Sequence, residues 1–132
     1  VLNIKLAHLD GYCAARIKAA DFYDRAFSNH KNIKTPARAK NSTHVFHQYT
    51  LQLNGVDREA IKTYLGTKGI PAMIYYPVAL RKQKAYFQES DPKDFVNTDK
   101  LLEQVISLPM HTELDEEQLK YITDAVLEFM KS

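Results

Sequence analysis

The stretch His44-Val-Phe-His-Gln-Tyr-Thr-Leu-Gln-Leu53 is rich in β-branched and aromatic residues, a composition typical of a strand. Successive side chains of a strand point to opposite faces, so its residues divide into two alternating sets. One set is Val45, His47, Tyr49, Leu51 and Leu53, and the other is Phe46, Gln48, Thr50 and Gln52. The alternation predicts a half-buried strand over residues 44–53, with Asn54-Gly55 supplying the turn after it.

A helix and a second strand are predicted directly after this turn. Asp57 is a helix-capping residue type, the helix spans residues 58–68, and Gly69 ends it. The run Ala72-Met-Ile-Tyr-Tyr76 then reads as a short strand that Pro77 ends. The order is strand–helix–strand. Periodicity leaves open whether the two strands pair in parallel or have another strand between them.

The first segment is predicted to be one long helix from Val1 to about Asn29. Its apolar residues recur at steps of three and four, which places them on one helix face. They are Leu2, Leu6, Leu9, Cys13, Ile17, Ala20, Tyr23 and Phe27. No capping residue and no initiator Met precede this pattern, so we expect a chain cut from a longer protein. We also expect the Leu2, Leu6 and Leu9 face to pack on that missing part or on a second chain.

The C-terminal part is predicted to hold two further helices. Residues 78–95 read as a loop with one helical turn near Gln83, and Asn97 is expected to cap a helix carrying Leu101, Leu102, Val105 and Ile106. Residues 107–110 fit a short edge strand or an extended exit. The last helix has a capping box at Asp115 and Gln118. The pattern predicts one α/β domain over residues 1–132, a two-layer α+β arrangement of a few-stranded sheet with packed helices.

Composition and charge exclude several classes of protein. The chain has 132 residues, of which 45% are hydrophobic and 26% charged, so mostly disordered and repetitive chains are excluded. Its 18 basic and 16 acidic residues are interspersed, and no basic stripe indicates nucleic-acid binding. Cys13 is the single cysteine, and no apolar run is long enough to cross a membrane. We therefore expect a cytoplasmic protein without a nucleic-acid or membrane partner.

Metal, nucleotide and nucleophile motifs are not indicated. His44 and His47 lie three residues apart on the predicted strand, so they point to opposite faces and do not jointly bind a metal. His47 shares a face with Val45 and Tyr49, which favours an interior histidine over a catalytic base. The four glycines make no phosphate-binding loop, and neither Ser nor Cys lies in a nucleophile elbow.

The segment from Ile74 to Tyr86 is the strongest candidate for a binding site. Tyr75 and Tyr76 close the second predicted strand, Pro77 turns the chain, and Arg81 begins a cationic stretch. Strand ends commonly present binding groups in α/β folds. A tyrosine stacks on rings and hydrogen-bonds through its hydroxyl, and the arginine fork suits phosphate or carboxylate. The structural alternative is a pair of core tyrosines followed by an exposed basic loop.

Five segments together carry a family resemblance. They are Ile4–Asp10 in the first helix, His44–Thr50, Leu65–Ile70 leading into Ile74–Pro77, Leu80–Tyr86, and Ser107–Gln118. In this order the chain resembles the C-terminal portion of the DegT/StrS family of PLP-dependent sugar aminotransferases. The resemblance covers essentially the whole chain and implies the small C-terminal domain of the type I aminotransferase fold.

The resemblance implies a homodimeric cytosolic enzyme that moves an amino group, usually from glutamate, onto a nucleotide-linked keto-sugar. Pyridoxal 5'-phosphate (PLP) carries the group, and the lysine that holds PLP lies in the family's large N-terminal domain. No lysine of this chain lies in the family's lysine motif. We therefore expect no catalytic residue, no bound PLP and no turnover in this polypeptide alone, with PLP present in the full-length enzyme.

The resemblance also implies substrate-binding residues. Tyr75 and Tyr76 match family positions that face the sugar. The family then commonly reads Pro-x-Pro-Leu-His, whereas this chain has Pro77-Val-Ala-Leu-Arg81, so Ala79 and Arg81 depart from the pattern. Arg81 is expected to reach a diphosphate. The alternatives are a stand-alone ligand-binding or protein-interaction module derived from such a domain, and a structural domain with no ligand.

Overall fold

The computed structural model describes residues 2–87, 89 and 92–131. In that part of the chain, one antiparallel sheet contains three strands in the order β1-β2-β3. They are β1 (Ile33–Lys34), β2 (Tyr49–Leu53) and β3 (Val105–Leu108). Five helices accompany the sheet: α1 (Leu2–Leu6), α2 (Leu9–Phe27), α3 (Arg58–Thr67), α4 (Val96–Gln104) and α5 (Glu116–Phe129). The predicted α/β architecture of a small sheet with packed helices is confirmed.

The register of β2 against β3 separates an apolar face of the sheet from a polar one. Tyr49 lies opposite Leu108 and Leu51 opposite Ile106, and all four side chains are buried. Directly opposed residues share a face, so these pairs build one apolar surface. The core forms where buried residues of α2, α3 and α5 pack against this surface. They include Ala20, Tyr23, Phe27, Ile61, Leu65, Leu119, Ile122 and Val126.

The single long N-terminal helix predicted from periodicity is wrong. The helix is interrupted at residues 7–8, which separates α1 from α2, and the predicted start at Val1 lies outside the described residues. None of the residues of α1 is buried, whereas Tyr23 and Phe27 at the other end of α2 are in the core. Because none of its residues is buried, α1 is stabilised mainly by its intrinsic helix propensity, which is weak for so short a segment. The apolar repeat therefore does not produce one continuous helix.

The predicted strand over residues 44–53 is half as long as expected. Only Tyr49–Leu53 pairs, and Phe46 has a φ of 49°, a left-handed conformation that interrupts the alternation of a strand. Phe46 therefore packs in the core with Tyr49, although alternation placed it on the other face, while Val45 is exposed. His47 is exposed as well, so its interpretation as an interior histidine is wrong.

The second predicted strand, residues 72–76, is reduced to one antiparallel bridge between Met73 and Ser107. The Met73 amide donates to the Ser107 carbonyl at 2.9 Å, and the Ser107 amide donates to the Met73 carbonyl at 2.7 Å. The bridge lies on the edge of β3 that β2 does not occupy. β3 therefore separates β2 from this segment, which decides the alternative that the sequence left open.

The boundary of the helix before β3 differs from the prediction. Phe95 rather than Asn97 is the N-cap of α4, and the helix ends at Gln104. Val105 and Ile106 belong to β3, because pairing with β2 overrides the helical spacing of these β-branched residues. Residues 107–108 are extended, as predicted. The loop before α4 contains short 3-10 turns at Leu80–Lys82, Lys84–Tyr86 and Pro92–Phe95.

Two helix caps are confirmed. The Asp57 carboxylate accepts from the amides of Glu59 and Ala60 at the start of α3. At the start of α5, the Asp115 carboxylate accepts from the Gln118 amide at 2.7 Å, and the Gln118 side chain accepts from the Asp115 amide at 3.1 Å. This reciprocal capping box satisfies two amides that the helix itself leaves without a partner.

Replacing the capping carboxylate tests this helix start. We expect Asp115→Ala to lower the free energy of unfolding by about 1 kcal/mol, because the first turn of α5 loses its acceptor. Asp124→Ala is the matched control, since Asp124 pairs on the exposed surface of the same helix with Lys120 and an exposed pair contributes about 0.5 kcal/mol or less. Urea denaturation measures both, and equal losses would contradict the role of the cap.

A charged network attaches the loop before β2 to α2. The buried Tyr49 hydroxyl donates to Asp24 at 2.5 Å, and Arg38 binds Asp24 at 2.6 Å and Asp21 at 2.7 Å. Arg38 also lies over the Phe46 ring, 4.7 Å from its centroid. Burial opposes the charge of Arg38, but the two carboxylates raise its pKa overall. This network fixes residues 38–46 against the helix that carries the core.

Two buried tyrosines make stability sensitive to alkaline pH. Burial raises the pKa of Tyr23, and burial together with the hydrogen bond to Asp24 raises the pKa of Tyr49, both above the ordinary value near 10. The folded chain therefore keeps two protons that the unfolded chain loses. These two tyrosines are expected to leave the free energy of unfolding unchanged below about pH 10. Above that pH they should lower it, by up to about 1.4 kcal/mol per pH unit for each tyrosine.

Urea midpoints measured between about pH 8 and pH 11 check this expectation. Tyr23→Phe should make the alkaline fall shallower, because one of the two linked protons is removed. Tyr121→Phe is the control, since that tyrosine is 52% exposed. A midpoint that stays constant over the whole range would contradict the linkage.

Candidate functional site

Tyr75 and Tyr76 lie together at the surface, and their side chains are 42% and 75% exposed. The interpretation as core tyrosines is therefore wrong. Their rings meet edge to face, with centroids 6.2 Å apart. They line a concavity of about 340 Å³, which we call the tyrosine concavity. Its other lining residues are Val78, Ala79 and Leu80 from the following loop, Thr98, Leu101 and Leu102 from α4, and Val105.

Arg81 binds Asp99 of α4. Its Nη2 donates to both carboxylate oxygens of Asp99, at 2.7 and 2.5 Å, and its guanidinium lies 5.0 Å from the centroid of the Phe95 ring. The Arg81 side chain is only 16% exposed, and it does not line the tyrosine concavity. Lys82 approaches the same carboxylate at 3.4 Å. The structure brings Tyr75 and Tyr76 together and places Arg81 in a half-buried ion pair beside them.

Sequence reasoning missed Asp99, which follows Arg81 by 18 residues. No spacing rule connects a loop cation with a carboxylate on a later helix. The available signal was the arginine itself, because a guanidinium that becomes partly buried requires a nearby acceptor.

A second concavity also has Tyr75 in its lining. It measures about 240 Å³, and we call it the histidine concavity. His47, Gln48, Met73, Tyr75 and Ser107 line it, together with Pro71, Leu108, Pro109 and Met110. Tyr75 is therefore shared by both concavities. Sequence reasoning missed Gln48 as a site residue, although alternation had placed it on the face opposite the core residues of β2.

Other concavities are also present in the described part of the chain. One of about 280 Å³ lies between Gly69–Pro71 and α5 and includes His111 and Tyr121. Another, of about 370 Å³, is lined by Arg38, His44 and Phe46, among others, and one of about 340 Å³ has both His44 and His47 in its lining. Among the described residues, no group of three His, Cys, Asp or Glu side chains converges as a metal site would require.

The five concavities do not fit a covalent PLP site. Such a site needs a lysine amine inside a cavity and an acidic group for the pyridine nitrogen. No lysine and no carboxylate lines any of the five. These five concavities therefore lack the groups that hold PLP covalently.

Comparison with known sequences identifies the family. A sequence model described as the DegT/DnrJ/EryC1/StrS aminotransferase family matches residues 1–127. The chain belongs to this family. The resemblance carried by the five segments is confirmed, and the match extends through almost the whole chain.

Two relatives illustrate the family. The chain is 36% identical over 126 residues to a protein of Acidithiobacillus ferrooxidans named UDP-N-acetyl-3-dehydro-alpha-D-glucosamine 3-aminotransferase, covering 96% of this chain and 33% of that protein. It is 31% identical over 137 residues to a pleiotropic regulatory protein of Geobacillus stearothermophilus, covering 99% of this chain and 36% of that protein. The chain thus spans about a third of the length of these curated relatives.

A solved structure in the family has the same fold. The crystal structure of S. venezuelae DesV superimposes with a TM-score of 0.89 at 29% identity, covering all of this chain and 35% of that one. The predicted small domain of the aminotransferase fold is confirmed. No helix in the described residues is long and apolar enough to cross a membrane.

The Arg81–Asp99 pair is expected to hold the loop that carries the tyrosine concavity. Asp99→Asn should lower the free energy of unfolding by about 1–3 kcal/mol, because the half-buried guanidinium loses a charged acceptor. It should also speed amide exchange at Lys82 and Gln83, whose amides close the 3-10 turn beside it. Lys82→Ala is the control, because this lysine is more exposed and farther from the carboxylate. Equal losses in the two variants, measured by urea denaturation, would show that the pair has no special role.

Proposed function

We propose that this chain is the C-terminal part of a PLP-dependent aminotransferase that acts on a nucleotide-linked keto-sugar in amino-sugar biosynthesis. The observation that carries the proposal is the family match over residues 1–127, combined with coverage of only a third of the relatives. One of these relatives is named as an aminotransferase of a UDP-linked keto-sugar. Under this proposal residues 1–132 form one domain, and the lysine that holds PLP belongs to an N-terminal domain outside this chain.

Under this proposal the PLP-binding lysine and the substrate contacts of this chain belong to different parts of the whole enzyme. PLP bound elsewhere in the whole enzyme supplies the group that carries nitrogen between donor and acceptor. This chain contributes substrate contacts, and by itself it neither holds PLP nor turns over. The amino donor is glutamate, as in the family.

Tyr75 and Tyr76 are proposed to contact the substrate. Both are exposed at the mouth of the tyrosine concavity, and a phenol offers a flat face for a ring and a hydroxyl for hydrogen bonds. Arg81 is the third proposed residue. Its guanidinium is already bound by Asp99, so contact with a diphosphate requires Arg81 to share or leave that carboxylate. In its present position Arg81 acts on the substrate through the loop that it holds.

An exposed apolar face supports the proposal that more protein packs on this chain. Leu2 and Leu6, which share one side of α1, are 81% and 66% exposed, and Leu9 at the start of α2 is 48% exposed. Isolated soluble domains seldom display such a row of large aliphatic side chains. We propose that the rest of a homodimeric cytoplasmic enzyme covers this face.

The reading frame that encodes the chain tests the proposal directly. We expect the codons before Val1 to continue into a domain that contains a PLP-binding lysine. An initiator codon immediately before Val1, with no such domain, would overturn the proposal and favour the stand-alone module.

Chemical labelling tests the division of roles on the chain itself. After incubation with PLP and reduction with borohydride, mass spectrometry should find at most diffuse labelling of exposed lysines, as in a urea-unfolded sample. The full-length enzyme should carry a single labelled lysine outside residues 1–132. One lysine of this chain labelled only in the folded state would contradict the assignment.

A further inference from the structure

The polar side chains of β2 and β3, those of Thr50, Gln52 and Ser107, are all hydrogen-bonded to one another or to neighbouring residues. The Thr50 and Ser107 hydroxyls share a hydrogen bond of 2.8 Å. Next to them, the Gln52 amide donates to Gln104 at 2.6 Å, and the Gln104 amide donates to Asn54 at 3.2 Å. These polar side chains are occupied by one another, so they rigidify the face and are not available to a ligand.

The polar side chains that line the histidine concavity differ from these hydrogen-bonded side chains. Within the described residues, the His47 ring, the Gln48 amide and the Tyr75 hydroxyl have no hydrogen-bond partner, yet all three side chains line the same concavity. The backbone of His47 is also contacted by α2, because the Arg16 guanidinium donates to the His47 carbonyl at 3.5 Å. Met73, which also lines the concavity, is fixed by its two hydrogen bonds to Ser107. Unpaired polar groups therefore converge on a fixed backbone.

The chemistry of this lining selects a class of ligand. No Lys, Arg, Asp or Glu lines the histidine concavity or the concavity with His44 that shares His47 and Gln48 with it. A phosphate or carboxylate is bound best by cations or by several amides, so the lining does not suit an anion. An imidazole, a carboxamide and a phenol each both donate and accept, and Tyr75 and Met73 add an apolar surface. This combination fits a neutral ring that carries several hydroxyl or acetamido groups.

We propose that His47 and Gln48 bind the sugar ring of the nucleotide-sugar in the histidine concavity, next to Tyr75. The inference rests on the proposed function and adds two specificity-determining residues to it. Tyr75 lines both concavities, so a substrate that contacts Tyr75 lies next to the concavity that His47 and Gln48 line. The charged diphosphate lies outside this pocket, whose lining contains no Lys, Arg, Asp or Glu.

Amide chemical shifts of the ¹⁵N-labelled chain test the assignment with three probes: N-acetylglucosamine, UDP and UDP-N-acetylglucosamine. The two probes that contain N-acetylglucosamine should shift the resonances of the Gln48 side-chain amide and of the backbone amides of His47 and Tyr75. UDP alone should leave these resonances unchanged. Equal shifts with UDP would overturn the assignment of the pocket to the sugar.

The same spectra separate failure of this inference from failure of the proposed function. Shifts in residues 75–81 without shifts at His47 and Gln48 would overturn the inference and leave the proposed substrate site standing. No shift at either place with UDP-N-acetylglucosamine, up to its limit of solubility, would overturn both.

Matched variants provide a second measurement. His47→Ala, Gln48→Ala and Tyr75→Phe should each weaken binding of UDP-N-acetylglucosamine by about 3- to 10-fold, the usual effect of one lost hydrogen bond. Their controls are His8→Ala and Tyr86→Phe, which alter exposed residues outside both concavities. Each variant should keep the urea midpoint of the unmodified chain, because none of these side chains is in the core. Unchanged affinity in all three site variants, with binding retained, would overturn the inference.

Discussion

The antiparallel pairing of β2 with β3 is the constraint on which the other features depend. Its register turns Tyr49 and Leu51 toward the helices and Thr50 toward the opposite face. Ser107 then serves both neighbours, because its hydroxyl bonds Thr50 and its backbone bonds Met73. The segment that contains the exposed Tyr75 and Tyr76 is therefore attached to the outer edge of β3 through Met73. A shift of one residue in this register would move the apolar side chains out of the core and the tyrosines away from His47.

The parts of the fold that local chemistry controls were predictable from the sequence. The caps at Asp57 and Asp115 depend on side chains reaching amides two or three residues away, and both formed as expected. The predictions that were wrong concern residues whose conformation depends on contacts with residues far away in the sequence. The left-handed backbone at Phe46 and the transfer of Val105 and Ile106 from helix to strand both follow from core packing and strand pairing, which periodicity does not encode.

The candidate site likewise has one part that the sequence predicted and another that it did not. A strand end with two tyrosines was visible in the sequence, and the family resemblance gave these residues a role. The partner of Arg81 was not visible, because the loop and α4 meet only in the folded chain. The substitution of arginine for the family's histidine therefore has two aspects. It adds a cation near a proposed sugar-phosphate site, and it adds a tether to Asp99 that neutralises that cation.

The bridge at Met73 has a consequence for the behaviour of the sheet in solution. An open strand edge presents free amide and carbonyl groups that can pair with another molecule and start aggregation. Here the outward-facing amide and carbonyl of Ser107 are already bound by Met73. At the opposite edge, β1 is only two residues long and gives little template for pairing. The segment that presents the tyrosines thus also protects the chain against edge-to-edge association.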